Sequence, residues 1–312
     1  MNCSTIPRFV PMSINTKNNL NGWLVIDKPF NIGSTDVVSK LKWSLSPKKI
    51  GHTGTLDPLA TGVLPIAFGH ATKLIPFVMD GTKVYDFEVT WGLETDTDDA
   101  AGKPVQTSPN RPTQSEILSL LPDFIGDISQ LPPAYCALKI NGKRAYDLAR
   151  TGQDVSLAPR TIHIDSLILL DIEPDKASFR VTCGKGTYVR SLGRDLGRKL
   201  GCFGYITKLR RVACGPFRIE NAIPLSDFSE KRDDISLLPL NTALDSFPKL
   251  HLPTTLTKRL LQGQRIPYRD IADFCPDKPS ENTLLCLMEN DTLLGLVRFA
   301  QNLLHPYRIF NL

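Results

Sequence analysis

One carboxylate in the segment GHTGTLDPLATGVL, residues 51–64, has the neighbours that chemistry at a loop requires. Asp57 precedes Pro58, which fixes its own φ angle and disfavours a helical conformation at the aspartate. Nearby glycines allow a tight loop around this stiff pair. A carboxylate held in this way can act as a nucleophile or stabilise positive charge that develops in a substrate. The alternative interpretation is an ordinary turn, because Asp-Pro pairs between glycines are frequent in turns.

The composition predicts a globular protein of the cytoplasm. Apolar residues make up 41% of the 312 residues, and no apolar run approaches the roughly 18 residues of a membrane span. The seven cysteines include no C-x-x-C pair, which favours free thiols over disulfides or a zinc site. Residues 1–20 have no continuous apolar core, so we predict a disordered N-terminal extension and no secretory signal.

Positive charge is concentrated in residues 183–218, which contain nine Lys or Arg and one acid and so carry +8, whereas the whole chain carries +5. A concentrated basic face predicts a polyanionic partner, with nucleic acid first among the candidates. The alternative is a solvated charged face. Four acids in residues 94–99 are interpreted as a solvated acidic turn.

Regular patterns predict the elements that position Asp57. Apolar and alternating runs indicate strands at residues 22–27, 83–91, 161–172 and 177–183, and a buried apolar element at 63–68. Helices are expected after residue 36, at 115–121, at 145–150 and after Tyr188. In the last of these, leucines at 192, 196 and 200 form an apolar stripe, and arginines at 190, 194 and 198 lie about 200° away around the helix. A helix at 255–262 and strands at 283–288, 292–299 and 307–310 predict a separate small unit.

The loop sequence resembles the catalytic-loop signature of the bacterial TruB family, the tRNA pseudouridine-55 synthases. The D-K-P turn at residues 27–29, the P-P-x-Y-x-A-L-K motif at 132–139, T-Y-V-R at 187–190 and L-R-R at 209–211 extend the resemblance. It implies an α+β fold, with a mixed, mainly antiparallel sheet and flanking helices, the pseudouridine synthase fold. It further implies a catalytic domain at 21–245, a small β-rich PUA-like RNA-binding domain at 246–312, and no metal or other cofactor.

The resemblance also implies roles for individual residues. Asp57 would be the catalytic residue, and Tyr85 would stack on the target uracil. Tyr188 would act as a base at C5 or support the pocket, and Arg190 would keep Asp57 ionised. The remaining expected roles are a pocket lining for Leu209, positioning of loop or RNA for His52 and Lys28, and RNA contacts for Lys139, Lys143, Arg144, Arg194, Arg210 and Arg211.

These expectations describe an enzyme that acts as a monomer on the T arm of tRNA, without a protein partner. It would flip a uridine out of its stack, cleave its glycosidic bond and re-form the bond through C5. Three alternatives remain open at this point: a synthase for another RNA, an RNA-binding or RNA-folding protein without chemistry, and a metal-dependent RNA hydrolase. The last lacks clustered ligands, since the five histidines are dispersed at 52, 70, 163, 251 and 305.

Overall fold

The computed structural model describes residues 20–136, 138–140, 143–144, 157–230 and 236–310. The strands in these ranges are β1 (Gly22–Lys28), β2 (Ile50–His52), β3 (Ala60–Phe68), β4 (Lys83–Trp91), β5 (Leu93–Thr95), β6 (Pro104–Thr107), β7 (Gly126–Gln130), β8 (Lys139–Ile140), β9 (Lys143–Arg144), β10 (Arg160–Glu173), β11 (Lys176–Cys183), β12 (Gly204–Cys214), β13 (Phe217–Arg218), β14 (Ile223–Pro224), β15 (Lys249–His251), β16 (Ile266–Pro267), β17 (Leu284–Glu289), β18 (Thr292–Ala300) and β19 (Leu303–Ile309). The α-helices are α1 (Ser34–Leu45), α2 (Ile75–Asp80), α3 (Gln114–Leu120), α4 (Val189–Lys199), α5 (Leu225–Glu230) and α6 (Thr254–Leu261).

A ten-stranded sheet forms the larger part of the molecule, in the order β14-β1-β3-β12-β4-β11-β10-β7, with β2 paired to β3 and β13 paired to β12. Its pairs are antiparallel except for β1 with β14 and β3 with β12. The parallel contact matters for the site, because it aligns Leu209, Arg210 and Arg211 with the first three residues of β3. The end of the Asp57 loop is thereby fixed against the L-R-R motif.

Two apolar cores lie on this sheet. One contains Phe87, Phe179, Leu192 and Leu196 and lies between the sheet and α4. The other contains Leu24, Leu41 and Leu64 and lies between the sheet and α1. Helix α4 approaches β12 closely, since a Cβ on Gly197 would meet Gly204 N at 2.3 Å. The predicted leucine stripe of α4 is buried at Leu192 and Leu196, whereas Leu200 is the C-cap of the helix and is only half-buried.

A five-stranded sheet in the order β15-β17-β18-β19-β16 forms the C-terminal part. One of its faces has its own core, which includes Leu260, Leu287 and Phe299. The other contributes Cys286, Leu296 and Phe310 to an apolar cluster that also contains Trp23 and Phe217 of the large sheet. The small sheet is therefore packed against the large one through a shared core, and a domain boundary at residues 245/246 stays a prediction.

Most predicted elements agree with the structure to within a few residues at each end. Helix α1 begins at Ser34 rather than at residue 36, because Gly33 is the N-cap and its N–H donates to the Asp36 carboxylate at 3.1 Å. The N-terminal extension at 1–19, the turn at 141–142 and the helix expected at 145–150 lie outside the described residues. No helix in the described ranges is long and apolar enough to cross a membrane.

Candidate active site

The loop that carries Asp57 connects β2 to β3 and is closed by a turn in which Ala60 N donates to Asp57 O at 3.0 Å. Gly54 and Gly62 adopt φ angles of +140° and +102°, which side chains disfavour. At Gly62 a Cβ would also lie 2.2 Å from the carbonyl oxygen of Arg211. These two glycines therefore let the loop fold back tightly and let β3 pair closely with β12.

Helix α1 fixes the residue immediately before Asp57. The hydroxyl of Ser34 accepts a hydrogen bond from Leu56 N at 2.8 Å and donates one to Leu56 O at 3.0 Å. Both backbone polar groups of Leu56 are thus satisfied by one buried side chain. Since the first helical residue makes this contact, the position of α1 on the sheet determines where the carboxylate points.

Lys28 fixes the other side of the loop from a fully buried position at the end of β1. Its ammonium donates to the carbonyls of Ile32 at 2.7 Å, Pro29 at 3.0 Å and Pro58 at 3.3 Å. Burial lowers the pKa of Lys28 from 10.5 to about 8, against the opposing effect of the Asp57 carboxylate. The D-K-P turn and the catalytic loop are therefore held together by one cation.

Arg211 lies beneath the loop and is 1% exposed. Its Nε donates to Val63 O at 2.7 Å and its Nη2 donates to Gly54 O at 3.3 Å. In this structure Arg211 is therefore directed into the protein, and its contact with RNA stays a prediction. Because neighbouring strand residues point to opposite faces, Arg211 points towards the core while Arg210 points outwards and forms a bidentate ion pair with Asp27 at 2.7 and 3.1 Å.

Asp57 is paired with Arg190, as the resemblance implied. Arg190 Nε lies 2.9 Å from Asp57 Oδ2, and the two side chains are 7% and 40% exposed. The remaining guanidinium nitrogens donate to Thr97 O at 3.0 Å and Tyr135 O at 2.9 Å, and Nη1 also lies 3.6 Å from Asp99 Oδ2. The arginine is thus immobilised by the protein, whereas one side of the carboxylate remains accessible.

The acids at 94–99 are not the solvated turn that the sequence suggested. Three of them, Glu94, Asp98 and Asp99, form ion pairs with the three arginines of α4, and we call this the acid–arginine row. Arg194 pairs with Asp98 at 2.9 Å, and Arg198 pairs with Glu94 at 2.6 Å. The row forms because Asp98 O accepts from Ile206 N and Ala100 N donates to Ile206 O, which places this segment beside α4.

The same row holds Arg194 inside the protein, and its contact with RNA stays a prediction. Its side chain is 6% exposed and bonds to Asp98, Asp195 and Leu131 O, each at 2.9 Å. Burial raises the pKa of Asp98 to about 6, opposed by Arg194 and Arg190. More widely, seven of the nine cations at 183–218 form ion pairs within the protein, namely Lys185, Arg190, Arg194, Arg198, Lys199, Lys208 and Arg210. Most cations in this run are therefore paired with carboxylates of the protein, and a polyanionic partner for this run stays a prediction.

Tyr85 and Leu209 lie on the adjacent strands β4 and β12, and both pack against the two apolar cores of the large sheet. Tyr85 lies opposite Arg211 in the register. Burial raises the pKa of Tyr85 to about 12, with Arg211 acting in the opposite direction. The pair provides a half-buried apolar surface where the sheet meets the loop, which suits the stacking of a planar base.

Tyr188 occupies the N-cap of α4, two residues before Arg190. The Gln130 amide holds its backbone from both sides, because Tyr188 N donates to Gln130 Oε1 at 2.9 Å and Gln130 Nε2 donates to Tyr188 O at 3.1 Å. Burial raises the pKa of Tyr188 to about 12, and the neighbouring Cys136 makes a smaller contribution in the same direction. The phenol is therefore neutral near pH 7.

His52 ends β2 and is half-buried, with Gly54 N donating to its Nδ1 at 3.2 Å. Burial lowers the pKa of His52, and the nearby Arg211 lowers it further. The imidazole therefore helps to shape the Gly54 turn of the loop. Lys139, Lys143 and Arg144 lie on the paired strands β8 and β9, but their side chains are outside the described part of the structure, so their RNA contacts stay predictions.

Comparison with known proteins places this geometry in a family. The N-terminal domain of TruB family pseudouridylate synthases matches residues 42–189, and the tRNA pseudouridylate synthase B C-terminal domain matches residues 190–245. A tRNA pseudouridine synthase B from Rhodopseudomonas palustris is 47% identical over 95% of this chain and 82% of its own length. Another from Paracoccus denitrificans is 44% identical over 94% of this chain and 97% of its own length. The chain belongs to the TruB family.

Solved structures agree with the TruB assignment at the level of fold. An H/ACA RNP bound to a substrate RNA containing 2′-deoxyuridine has a TM-score of 0.70 at 23% identity, over 93% of this chain and 84% of that chain. A chain of a Cbf5-Nop10-Gar1 complex has a TM-score of 0.69 at 24% identity, over 92% of this chain and 84% of that chain. The predicted pseudouridine synthase fold, a mixed sheet with flanking helices and a small β-rich C-terminal part, is confirmed.

The TruB-type site also contains residues that the sequence analysis missed. Asp99 and the carbonyls of Thr97 and Tyr135 hold Arg190, Gln130 holds Tyr188, and Ser34 holds Leu56. A buried serine or glutamine carries no distinctive sequence signal, since its role depends on a partner far along the chain. Within the described ranges, no group of three or more His, Cys, Asp or Glu is arranged to hold a metal ion.

Proposed function

We propose that this protein is an isomerase that converts uridine to pseudouridine in tRNA, at position 55 of the T loop. Relatives named tRNA pseudouridine synthase B, 42–47% identical over most of the chain, support tRNA as the substrate class. The observation that carries the chemistry is the pair of Asp57 and Arg190, in which a partly accessible carboxylate is held by a buried arginine.

The reaction breaks the C1′–N1 bond, rotates the uracil and forms a C1′–C5 bond. The C5 hydrogen leaves as a proton and N1 gains one, so no net oxidation or reduction occurs. Asp57 acts as the nucleophile or stabilises positive charge on the sugar while the uracil is detached. Arg190 orients the carboxylate, because the arginine is itself fixed by two backbone carbonyls.

The base must leave its stack before Asp57 can reach its sugar, at a cost of about a few kcal/mol. The apolar surface of Tyr85 and Leu209 offsets part of this cost by stacking on the flipped uracil. Tyr188, whose pKa burial raises to about 12, supports the pocket or acts as the base at C5.

Tritium release from tRNA transcripts labelled at uridine C5 tests the proposal, because a C5 glycosidic bond cannot form without expelling that hydrogen. We expect release of one equivalent at the T loop by the wild-type protein and none by Asp57→Asn, which should still bind. Tight binding without release would refute catalysis and leave an RNA-binding protein. Release from ribosomal RNA alone would retain the chemistry and refute the substrate.

We further propose that the protein works as a monomer in the cytoplasm without a protein partner, unlike the H/ACA assemblies of similar fold. The expected result is full conversion of an unmodified transcript by the purified chain, with one protein per RNA by mass photometry. Activity that appeared only after addition of a cell extract would contradict this, as would a dimer at catalytic concentrations. Loss of activity on treatment with a chelator would favour the metal-dependent alternative.

A further inference from the structure

A groove of about 300 Å³ lies at the end of α1, away from the acid–arginine row. It is lined by Lys42, Pro47, Lys48, Lys49, Ile50 and Thr72. The chain builds it by stopping α1 sharply, since Ser46 has a φ angle of +46° and is followed by Pro47. Strand β2 then starts at Ile50 and forms one wall, so we refer to these six residues as the lysine groove.

The charges of the lysine groove are uncompensated, in contrast to those of α4. Within the described ranges, Lys42, Lys48 and Lys49 form no ion pair, whereas seven of the nine cations at 183–218 do. The hydroxyl of Thr72 donates to Gly69 O at 2.7 Å, so the ammonium groups are the donors that this groove can offer. Three clustered ammonium groups without counter-charges favour a polyanionic ligand.

The groove is continuous with the active-site loop through β2. Ile50 lines the groove and His52 ends the same strand, a separation of roughly 7 Å at about 3.3 Å per residue. His52 in turn accepts from Gly54 N in the loop that carries Asp57. The groove is therefore close enough to the active-site loop for one bound RNA strand to contact both, if the proposed function is correct.

An exposed tryptophan follows the groove residue Lys42 in the sequence of α1. Trp43 follows Lys42 in α1 and is 87% exposed, because it is on the side of the helix away from the buried Val37, Leu41 and Leu45. An indole in contact with water next to lysines is unusual in a protein surface but useful for RNA, since bases stack on aromatic rings.

We propose that the lysine groove binds backbone phosphates of the RNA substrate and that Trp43 stacks on an unpaired base at its rim. The identity of the ligand as RNA rests on the proposed function. The groove is a second contact site that contributes to affinity and register and takes no part in the chemistry at Asp57. Its loss is therefore expected to weaken binding without slowing conversion of bound RNA.

The first test compares two triple variants of equal charge. One replaces the groove lysines, as Lys42→Gln, Lys48→Gln and Lys49→Gln. The control replaces lysines of the large-sheet part that lie outside the groove, as Lys103→Gln, Lys176→Gln and Lys199→Gln. Dissociation constants for a full-length tRNA transcript are measured over a range of salt, together with single-turnover rates of pseudouridine formation at saturating protein.

We expect the groove variant to bind at least about ten-fold more weakly, with a salt slope smaller by about 2 to 3, and to keep the wild-type single-turnover rate. Equal dissociation constants and slopes in the two triple variants would overturn the proposal. A wild-type protein that binds tRNA but forms no pseudouridine would instead refute the proposed function, and the comparison of affinities would still decide the role of the groove.

The second test uses the protein's own fluorescence. Of the three tryptophans, Trp23 and Trp91 are 0% and 2% exposed, so acrylamide should quench mainly Trp43. Saturation with tRNA is expected to protect the fluorescence from acrylamide in the wild type, and Trp43→Phe should lack this protected component. Unchanged quenching on saturation would overturn stacking by Trp43. Trp43→Ala is expected to weaken binding several-fold, and unaltered affinity would count against the stack.

Discussion

The carboxylate of Asp57 and the guanidinium of Arg190 meet at 2.9 Å between a partly exposed loop and a buried helix start. Arg190 lies in the first turn of α4, where the helix dipole disfavours a cation. The carbonyls of Thr97 and Tyr135 and the carboxylate of Asp99 offset that penalty. The arginine is thus fixed by the scaffold, and the carboxylate is the member of the pair that a substrate can reach.

Replacing Arg190 by lysine should reduce catalysis far more than binding. A single ammonium cannot contact Asp57, Thr97 O and Tyr135 O in the planar arrangement that the guanidinium provides. We expect the single-turnover rate to fall by about 100-fold or more, with the dissociation constant for tRNA within a few-fold of the wild type. Quenched-flow measurement of pseudouridine formation at saturating protein checks this.

Arg198→Lys is the matched control, because Arg198 belongs to the same row but its side chain is 49% exposed and pairs with Glu94 rather than Asp57. It should keep the wild-type rate. Equal losses in the two variants would show that α4 is needed only as a whole and that the Arg190 contact has no special role.

As the pH rises above the pKa of Lys28, the catalytic rate should fall while the free energy of unfolding rises. Below about pH 8 its ammonium supplies three N–H donors to three carbonyls, including Pro58 O beside Asp57. Above its pKa one donor is lost, so the loop is held less firmly and the rate should decline. Lys28→Met should be slower at every pH and lack this decline.

Deprotonation of Lys28 should change the free energy of unfolding in the direction opposite to its effect on the rate. Because the pKa is about 8 in the folded protein and 10.5 in the unfolded chain, the unfolded chain binds more protons between these values. The free energy of unfolding of the wild type should therefore rise across this window relative to Lys28→Met, by about 3 kcal/mol at most. Denaturant titrations of both proteins from pH 7 to pH 10.5 measure the difference, and parallel curves would refute the assignment.

Arg211 and Arg210 should differ in what their loss affects. Arg211→Gln removes the charge and the contacts to Val63 O and Gly54 O, so it should lower the free energy of unfolding by about 2–4 kcal/mol and slow catalysis. The salt slope of tRNA binding should be unchanged, since Arg211 is buried. A smaller slope with unchanged stability would support Arg211 as an RNA contact.

Arg210 forms an ion pair that is 40% exposed, so Arg210→Lys should lower the free energy of unfolding by about 1 kcal/mol or less.

Gly62→Ala should disrupt the pairing of β3 with β12. Gly62 has a φ angle of +102°, and the added Cβ would meet the backbone oxygen of Arg211 at 2.2 Å. We expect a loss of more than about 3 kcal/mol in the free energy of unfolding, or no folded protein. Gly186→Ala is the control: its φ angle is +84° but nothing lies within 4 Å, so about 1–2 kcal/mol is expected. Similar losses at both positions would mean that the close strand contact is not needed.

Much of the fold and the central residue could be predicted from local sequence. The Asp-Pro pair among glycines, the alternation in β4 and the apolar stripe of α4 are properties of short segments, and the structure contains each of them close to the predicted place. Family motifs within these segments identified Asp57 and Arg190, which the structure brings together. Such features depend on neighbours within a few residues, so the sequence alone is sufficient to determine them.

Only the tertiary structure decided which charges are free. The acids at 94–99 and the arginines of α4 are far apart in the chain, and their pairing depends on the bonds between this segment and Ile206 on β12. Likewise, Arg210 and Arg211 are adjacent but point to opposite faces of β12, and the register with β3 decides which one is buried. Burial of a charge is a property of the packed sheet, and linear charge patterns carry no information about it.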